Sequence, residues 1–182
     1  AGTASNGSGA CGLLCSLRVE FTDGTLQWVT GDASWKTAAQ ETAGWTGLGF
    51  ADSAWTPVIV LGPYGMEPWG AGGSGTTAPL RSCLMRKEFQ LPSAPVRALV
   101  SVSGLGAYEL RLNGRKVGND ILTPGWTSFA KRVPYQVYDV TGQLHQGSNA
   151  LGAILGNGWW TGRILGGRGR RDRRSDHDGG HP

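Results

Sequence analysis

The sequence is poor in the residues from which nucleophilic and metal sites are usually built. Its 182 residues include only three Cys, three His and two Met. Cys11, Cys15 and Cys83 show no metal-ligand spacing, and His177 and His181 lie close to the C-terminus. We therefore expect no catalytic triad, no metal site and no cofactor, and we interpret the cysteines as small buried thiols.

Long hydrophobic runs are also missing. Every apolar stretch is short and interrupted by Gly or Pro, so none can span a bilayer, and no basic segment followed by an apolar one marks the N-terminus. Charged residues make up only 16% of the chain, and residues 163–182, with six Arg and three Asp, carry +3 of the net charge of +4. We expect no membrane partner, and binding of nucleic acid would depend entirely on that Arg-rich tail.

Glycine and tryptophan are abundant instead, with 31 Gly and 8 Trp. Short aliphatic and aromatic runs are separated by Gly, Pro and Asn turns, which is typical of all-β sandwiches and jelly rolls. Period-two alternation occurs at 17–21, 26–28, 96–102, 108–112 and 133–137. We therefore expect an antiparallel β-sandwich whose two layers meet around Val100, Leu112 and Val137.

Two dipeptides predict tight hairpins. Asp23-Gly24 follows the first alternating segment, and Asn113-Gly114 follows the segment that ends at Leu112. A two-residue type I′ turn needs positive φ at both central positions, which Asn, Asp and Gly tolerate best.

Composition divides the chain into four segments, with a boundary in the Gly-rich run 71–75. We expect a flexible N-terminus at 1–12, a β module at 13–75, a second β-sandwich at 76–162 and a disordered Arg/Gly-rich tail at 163–182. The abrupt composition of the tail favours a truncated or out-of-frame terminus.

Two of the thirteen carboxylates could converge from different loops as a glycosidase pair, but nothing in the sequence selects which two. Four of them adjoin turn residues, where a carboxylate accepts hydrogen bonds from backbone N–H groups; these are Asp23, Asp52, Asp120 and Asp139. Glu20, Glu88 and Glu109 fall on the polar faces of predicted strands and are expected to be solvated. We therefore assign no catalytic residue.

Aromatic residues in loops are the better candidates for a site. Trp126, Trp159 and Trp160, with the neighbouring Asn157, lie in Gly-rich loop phrases. A Trp ring can stack on the apolar face of a sugar, or it can plug one end of a sandwich or pack against another domain.

Several phrases then occur in an order that is specific to one family. They are Leu84–Phe89, Gly104–Leu110, Leu112–Gly118, Leu122–Thr127, Tyr135–Thr141 and Gly156–Trp160. This order resembles the N-terminal accessory β-sandwich of bacterial α-L-rhamnosidases, glycoside hydrolase family 78. Residues 13–70, with Phe50–Trp55 and Tyr64–Gly70, are similar to the galactose-binding-like module that precedes it in such enzymes.

The resemblance implies an enzyme that removes terminal α-L-rhamnosyl groups with inversion, in which one acidic residue protonates the leaving oxygen and another activates water. In the family, these residues lie in a downstream (α/α)6 barrel that this chain does not contain. The resemblance therefore implies a galactose-binding-like or jelly-roll sandwich, incomplete at both ends and inactive alone. Its expected partners are rhamnose-containing glycosides and the downstream catalytic domain.

Two other functions stay open. The chain could be a free-standing carbohydrate-binding module that uses Trp126 or Trp159 and Trp160 as a stacking platform. It could also bind nucleic acid through the basic tail at 163–182.

Overall fold

The computed structural model describes residues 2–5, 12–63, 82–127 and 132–158, which form two antiparallel β-sheets packed face to face. The strands are β1 (Gly2–Ser5), β2 (Gly12–Glu20), β3 (Leu26–Thr30), β4 (Lys36–Ala38), β5 (Thr56–Pro57), β6 (Ile59–Pro63), β7 (Cys83–Leu91), β8 (Arg97–Leu105), β9 (Ala107–Leu112), β10 (Arg115–Lys116), β11 (Gln136–Asp139) and β12 (Gly147–Gly156). A single 3₁₀ turn, Thr141–Gln143, is the only helical element among the described residues. The predicted all-β sandwich is confirmed.

Each sheet has six strands. The first sheet has the order β11-β8-β2-β1-β6, and β3 pairs with β2 along the same edge as β1. The second sheet has the order β10-β9-β12-β7-β4-β5. None of the helices in the described part of the chain is long or apolar enough to cross a membrane.

One hydrophobic core lies between the sheets, and both sheets contribute to it. Alternation places every second side chain of β2, β8, β9 and β12 inward, and the inward row of β7 includes Met85. Leu17, Val100 and Leu112 belong to it and are fully buried. Burial of such side chains stabilises the fold by roughly 1.5–3 kcal/mol each.

The boundary expected at 71–75 separates two stretches of sequence but not two cores. Strand β2 pairs with β8 over nine residues, from Gly12↔Leu105 to Glu20↔Arg97. In the second sheet, β4 pairs with β7. Each sheet therefore contains strands from both sides of the boundary, which meet at the β8–β2 and β7–β4 pairs, and in the described residues they form one sandwich.

Within the segment 1–12, for which flexibility is predicted, the structure describes a strand near the start. Gly2–Ser5 forms β1, which pairs with β2 on one side and β6 on the other. The Gly- and Ser-rich composition suggested a free terminus, but a strand needs only backbone hydrogen bonds from both neighbours. The predicted tail at 163–182 lies outside the described residues.

Two predicted strand registers are wrong. Val137 is 51% exposed and Tyr135 is exposed as well, whereas Tyr138 packs against the core. In β3, Trp28 is exposed and Val29 is buried. Apolar residues alternate in both segments, but a shift of one residue exchanges the two faces of a strand.

The two predicted hairpins also differ. Asn113 and Gly114 have φ of 51° and 81° and join β9 to β10 directly, as a two-residue type I′ turn requires. Gly24 also has positive φ, but Asp23-Gly24 lies inside a five-residue loop, residues 21–25. That loop closes by a hydrogen bond from the N–H of Phe21 to the carbonyl of Thr25, 3.0 Å long.

The outer face of the second sheet is covered by the segment between β4 and β5, residues 39–55. Trp45, which is 3% exposed, lies over Gly152 of β12, where a Cβ atom would stand 2.9 Å from the indole ring. Trp55 packs beside Trp45 with a centroid separation of 5.8 Å. Strand β7 is thus buried on both faces over residues 83–86, and β12 is buried on both faces over residues 149–153.

We expect Gly152→Ala to lower the free energy of unfolding by about 1–3 kcal/mol, because the new methyl group overlaps the Trp45 ring. Urea unfolding followed by tryptophan fluorescence measures the change. Gly142→Ala is the matched control, because nothing lies within 4 Å of a Cβ at that position. Equal stability of the two variants would contradict the packing of Trp45 on the sheet.

Candidate functional site

The candidate site lies at one end of the second sheet, around the first residues of β9. Leu155 of β12 pairs with Tyr108 on one edge of β9. On the other edge, the N–H of Tyr108 donates to the carbonyl of Thr123, and the Thr123 hydroxyl donates to the carbonyl of Tyr108, both at 2.9 Å. This pair of hydrogen bonds fixes the loop at 118–126, which we call the apolar loop.

The apolar loop has a defined backbone conformation. Gly125 has φ of 92°, and its N–H donates to the carbonyl of Leu122 at 3.1 Å. Leu122 itself has φ of 56°, which costs a residue with a Cβ roughly 1–2 kcal/mol. The surrounding hydrogen bonds hold this strained turn in place.

Polar side chains of β9 and β11 hold the apolar loop by hydrogen bonds. The Tyr108 hydroxyl donates to Oε1 of Gln136 at 2.6 Å, and Nε2 of Gln136 donates to the carbonyl of Pro124 at 3.3 Å. The Tyr138 hydroxyl donates to Oδ2 of Asp120 at 2.7 Å. The polar groups of Gln136 and Asp120 are therefore engaged within the fold.

Neither tyrosine is prepared for proton transfer near neutral pH. Burial, the largest cause, raises the pKa of the Tyr108 hydroxyl far above its ordinary value. Burial and the hydrogen bond to Asp120 also raise the pKa of Tyr138. Both hydroxyls stay protonated and act as hydrogen-bond donors that position the loop.

Two of the four candidate site residues from the sequence, Trp126 and Asn157, lie at this end of the sandwich. Trp126, on the apolar loop, is 73% exposed. Asn157 follows β12 and is exposed, and Gly158 lies directly against the backbone of Gly106 and Ala107. Trp159 and Trp160 lie outside the described residues. Trp126 and Asn157 thus flank the start of β9, and the geometry presents an aromatic face rather than a reactive group.

The carboxylates beside turns divide into two groups. Asp23 accepts hydrogen bonds from the backbone N–H and hydroxyl of Thr25, and Asp139 accepts the same pair from Thr141. The hydroxyl hydrogen bond, followed by that of the backbone N–H, lowers the pKa of each of these two carboxyls. For Asp52 and Asp120, the prediction of backbone N–H partners is wrong, because the side chains of both bind other side chains.

Asp52 belongs to an ion cluster that the sequence did not indicate. Arg86, on the outer face of β7, is 1% exposed, and its Nη1 donates to Oδ2 of Asp52 at 2.7 Å. Its Nη2 pairs with Glu88, which was expected to be solvated. Nε and Nη2 donate to the carbonyls of Trp45 and Gly47, each at 2.8 Å. The guanidinium thereby ties residues 39–55 to the sheet.

The charge on Asp52 is well stabilised. Burial alone would raise its pKa, but the hydrogen bond and charge of Lys36, whose Nζ lies 2.6 Å from Oδ1, and the charge of Arg86 outweigh burial and lower it below 3.8. Asp52 is therefore ionised at neutral pH, and it acts as an ion-pair partner rather than as a proton donor.

No group of three or more His, Cys, Asp or Glu residues that could hold a metal ion occurs in the described ranges. Cys15 and Cys83 are buried and not disulfide-bonded, as predicted, and burial raises the pKa of the Cys15 thiol to about 12. Cys11 lies outside the described residues.

Fold and site together define an antiparallel β-sandwich domain that presents an exposed, ordered apolar loop. Its ion cluster around Arg86 holds residues 39–55 against the second sheet. Residues 93–179 match the family model described as the alpha-L-rhamnosidase N-terminal domain. The chain is therefore similar to such a domain over these residues. The match begins at 93 rather than at the predicted 76, and it runs to 179, into the segment that composition set apart as a tail.

Curated relatives support the same family. The chain is 43% identical over 167 residues to an α-L-rhamnosidase of Streptomyces avermitilis, covering 89% of this chain and 16% of that protein. It is 42% identical over 93 residues to an α-L-rhamnosidase of Formosa agariphila, covering 51% of this chain and 10% of that protein. The chain thus spans between a tenth and a sixth of the length of these relatives.

Solved structures include the Streptomyces avermitilis α-L-rhamnosidase complexed with L-rhamnose, with a TM-score of 0.43 and 41% identity over 81% of this chain and 14% of that chain. The native α-L-rhamnosidase of Aspergillus terreus has a TM-score of 0.49 and 24% identity over 85% of this chain and 20% of that chain.

We expect Asp52→Asn to lower the free energy of unfolding by about 1–2 kcal/mol at pH 7, because it removes a charged hydrogen-bond partner of Arg86. Since the pKa of Asp52 is lowered in the folded state, its contribution is complete above the unfolded pKa near 3.8 and is lost as the pH falls through the folded value. Urea unfolding at pH 7 and pH 3 should show a smaller acid loss in the variant. An identical loss in both proteins would contradict the role of Asp52.

Proposed function

We propose that the chain is the accessory β-sandwich region of a longer α-L-rhamnosidase, an enzyme that hydrolyses terminal α-L-rhamnosyl groups. The observation that carries this proposal is the 43% identity to the Streptomyces avermitilis enzyme across 89% of this chain. The sandwich supports the catalytic part of the longer protein, and the residues that cleave the glycosidic bond lie in that part.

The carboxylates of the described residues support an accessory role. An inverting glycosidase needs two carboxyl groups about 6.5–9.5 Å apart, one of them protonated and both open to substrate and water. Asp52 and Glu88 come together on a single buried guanidinium. Because both carboxylates bind Arg86, neither is arranged to protonate a leaving group.

We expect the purified 182-residue chain to show no hydrolysis of an aryl α-L-rhamnoside. A chimera, in which this chain replaces the similar 167-residue segment of the Streptomyces avermitilis enzyme, should hydrolyse the same substrate, because the two segments are 43% identical. Release of the aryl group measures both activities, and the Streptomyces enzyme with the segment deleted is the control. The accessory role would be refuted if hydrolytic activity co-purified with the isolated chain. An inactive chimera would refute it as well.

Carbohydrate binding by the sandwich itself is the second candidate function, and the 73% exposure of Trp126 favours it. Titration calorimetry with L-rhamnose tests it, with Trp126→Ala as the variant that should lose binding. Trp28→Ala, another exposed tryptophan, is the matched control.

The proposal includes neither nucleic acid nor a membrane as partner. Most basic side chains of the described residues are paired with carboxylates, namely Arg18, Lys36, Arg86, Lys87, Arg111 and Lys116. Such pairing leaves little net positive surface for phosphate groups on the sandwich.

A further inference from the structure

The apolar loop carries the three most exposed large hydrophobic side chains among the described residues. Ile121 is 80% exposed, Trp126 is 73% exposed and Leu122 is 65% exposed. Exposed turns usually carry polar residues, so three such side chains within six positions form an unusual surface.

The loop presents these side chains in a fixed arrangement. The two hydrogen bonds between Tyr108 and Thr123 hold its middle, and the Tyr138 hydroxyl holds Asp120 at its start. At Gly118, a Cβ atom would overlap the Tyr138 ring, so the loop runs directly against β11. A surface that is already ordered loses little conformational entropy when a partner covers it.

The chemistry of the loop suits a protein surface better than a sugar. Sugar sites combine an aromatic face with polar groups that reach the hydroxyls. Here the Gln136 amide binds Tyr108 and Pro124, and the Asp120 carboxylate binds Tyr138. What the loop offers beside Trp126 is aliphatic, from Ile121 and Leu122.

The position of the loop in the fold indicates which protein surface covers it. The region similar to this chain makes up only 16% of the Streptomyces avermitilis relative, so most of such an enzyme lies outside the sandwich. The polypeptide leaves β12 at Gly156, and Gly158 lies against Gly106 and Ala107, next to the residue that binds Thr123. The exit of the chain and the apolar loop therefore lie at the same end of the sandwich.

We infer that the apolar loop is the surface by which the sandwich docks onto an apolar surface of the remaining polypeptide of the longer enzyme. The inference rests on the proposed function and adds the residues that make the contact. Ile121 and Trp126 fill recesses of the partner surface, and Leu122 lies between them in the covered area.

The test uses two pairs of substitutions, in the isolated chain and in the chimera with the Streptomyces avermitilis enzyme. Ile121→Lys with Trp126→Lys alters the apolar loop, and Leu26→Lys with Trp28→Lys is the matched control on β3, where both residues are also exposed. Circular dichroism should give the same melting temperature for the isolated chain and both double variants. In the chimera, the loop pair should shorten the half-life of activity on heating about 5-fold or more, and the control pair should not.

The outcomes separate the two proposals. An active chimera whose half-life is equal for the loop and control pairs overturns the docking inference and leaves the accessory role intact. An inactive chimera overturns both. Binding of L-rhamnose to the isolated chain that the loop pair abolishes would assign the loop to sugar instead. If the lysine pair unfolds the isolated chain, Ile121→Ser and Trp126→Ser replace it, with Leu26→Ser and Trp28→Ser as controls.

Discussion

The nine-residue ladder between β2 and β8 is the constraint on which the sandwich depends. It joins residues 12–20 to residues 97–105 at the centre of the first sheet, and its inward side chains face those of β7, β9 and β12. Edge strand β11 pairs with β8 and carries Gln136 and Tyr138, which hold the apolar loop. The position of the candidate site is thus set by a contact between distant parts of the sequence.

Local signals allowed much of the fold to be predicted. Alternation correctly placed the inward residues of 17–21 and 108–112, and Asn113-Gly114 predicted a turn whose φ values only such residues tolerate. In the predicted segment 96–102, the inward residues from Ala98 onward are confirmed, but Val96 precedes β8 and is exposed. The face of β11 could not be predicted, because Val137 and Tyr138 fit either register by hydrophobicity. Packing of Tyr138 on the core and beside Gly118 decides it, and that packing depends on residues far away in sequence.

The site was predictable only as an exposed aromatic loop. Trp126 follows a Pro-Gly pair, and its exposure agrees with that context. The bridge from Thr123 to Tyr108 could not be predicted, since it requires β9 to be positioned first. Arg86 was overlooked for a related reason: on the outer row of a strand it resembles a solvated residue, and only the folding of residues 39–55 over it makes it buried.

The double-sided covering of β7 and β12 has a consequence for how the molecule opens. Each of these strands has a neighbour on both edges, β12 between β9 and β7 and β7 between β12 and β4. The amide protons of their doubly buried residues, 83–86 in β7 and 149–153 in β12, can therefore reach solvent deuterium only when the tryptophan-rich cover, the flanking strands and the core separate together. These amides define the slowest-exchanging unit of the sandwich, and their exchange rate reports its global unfolding.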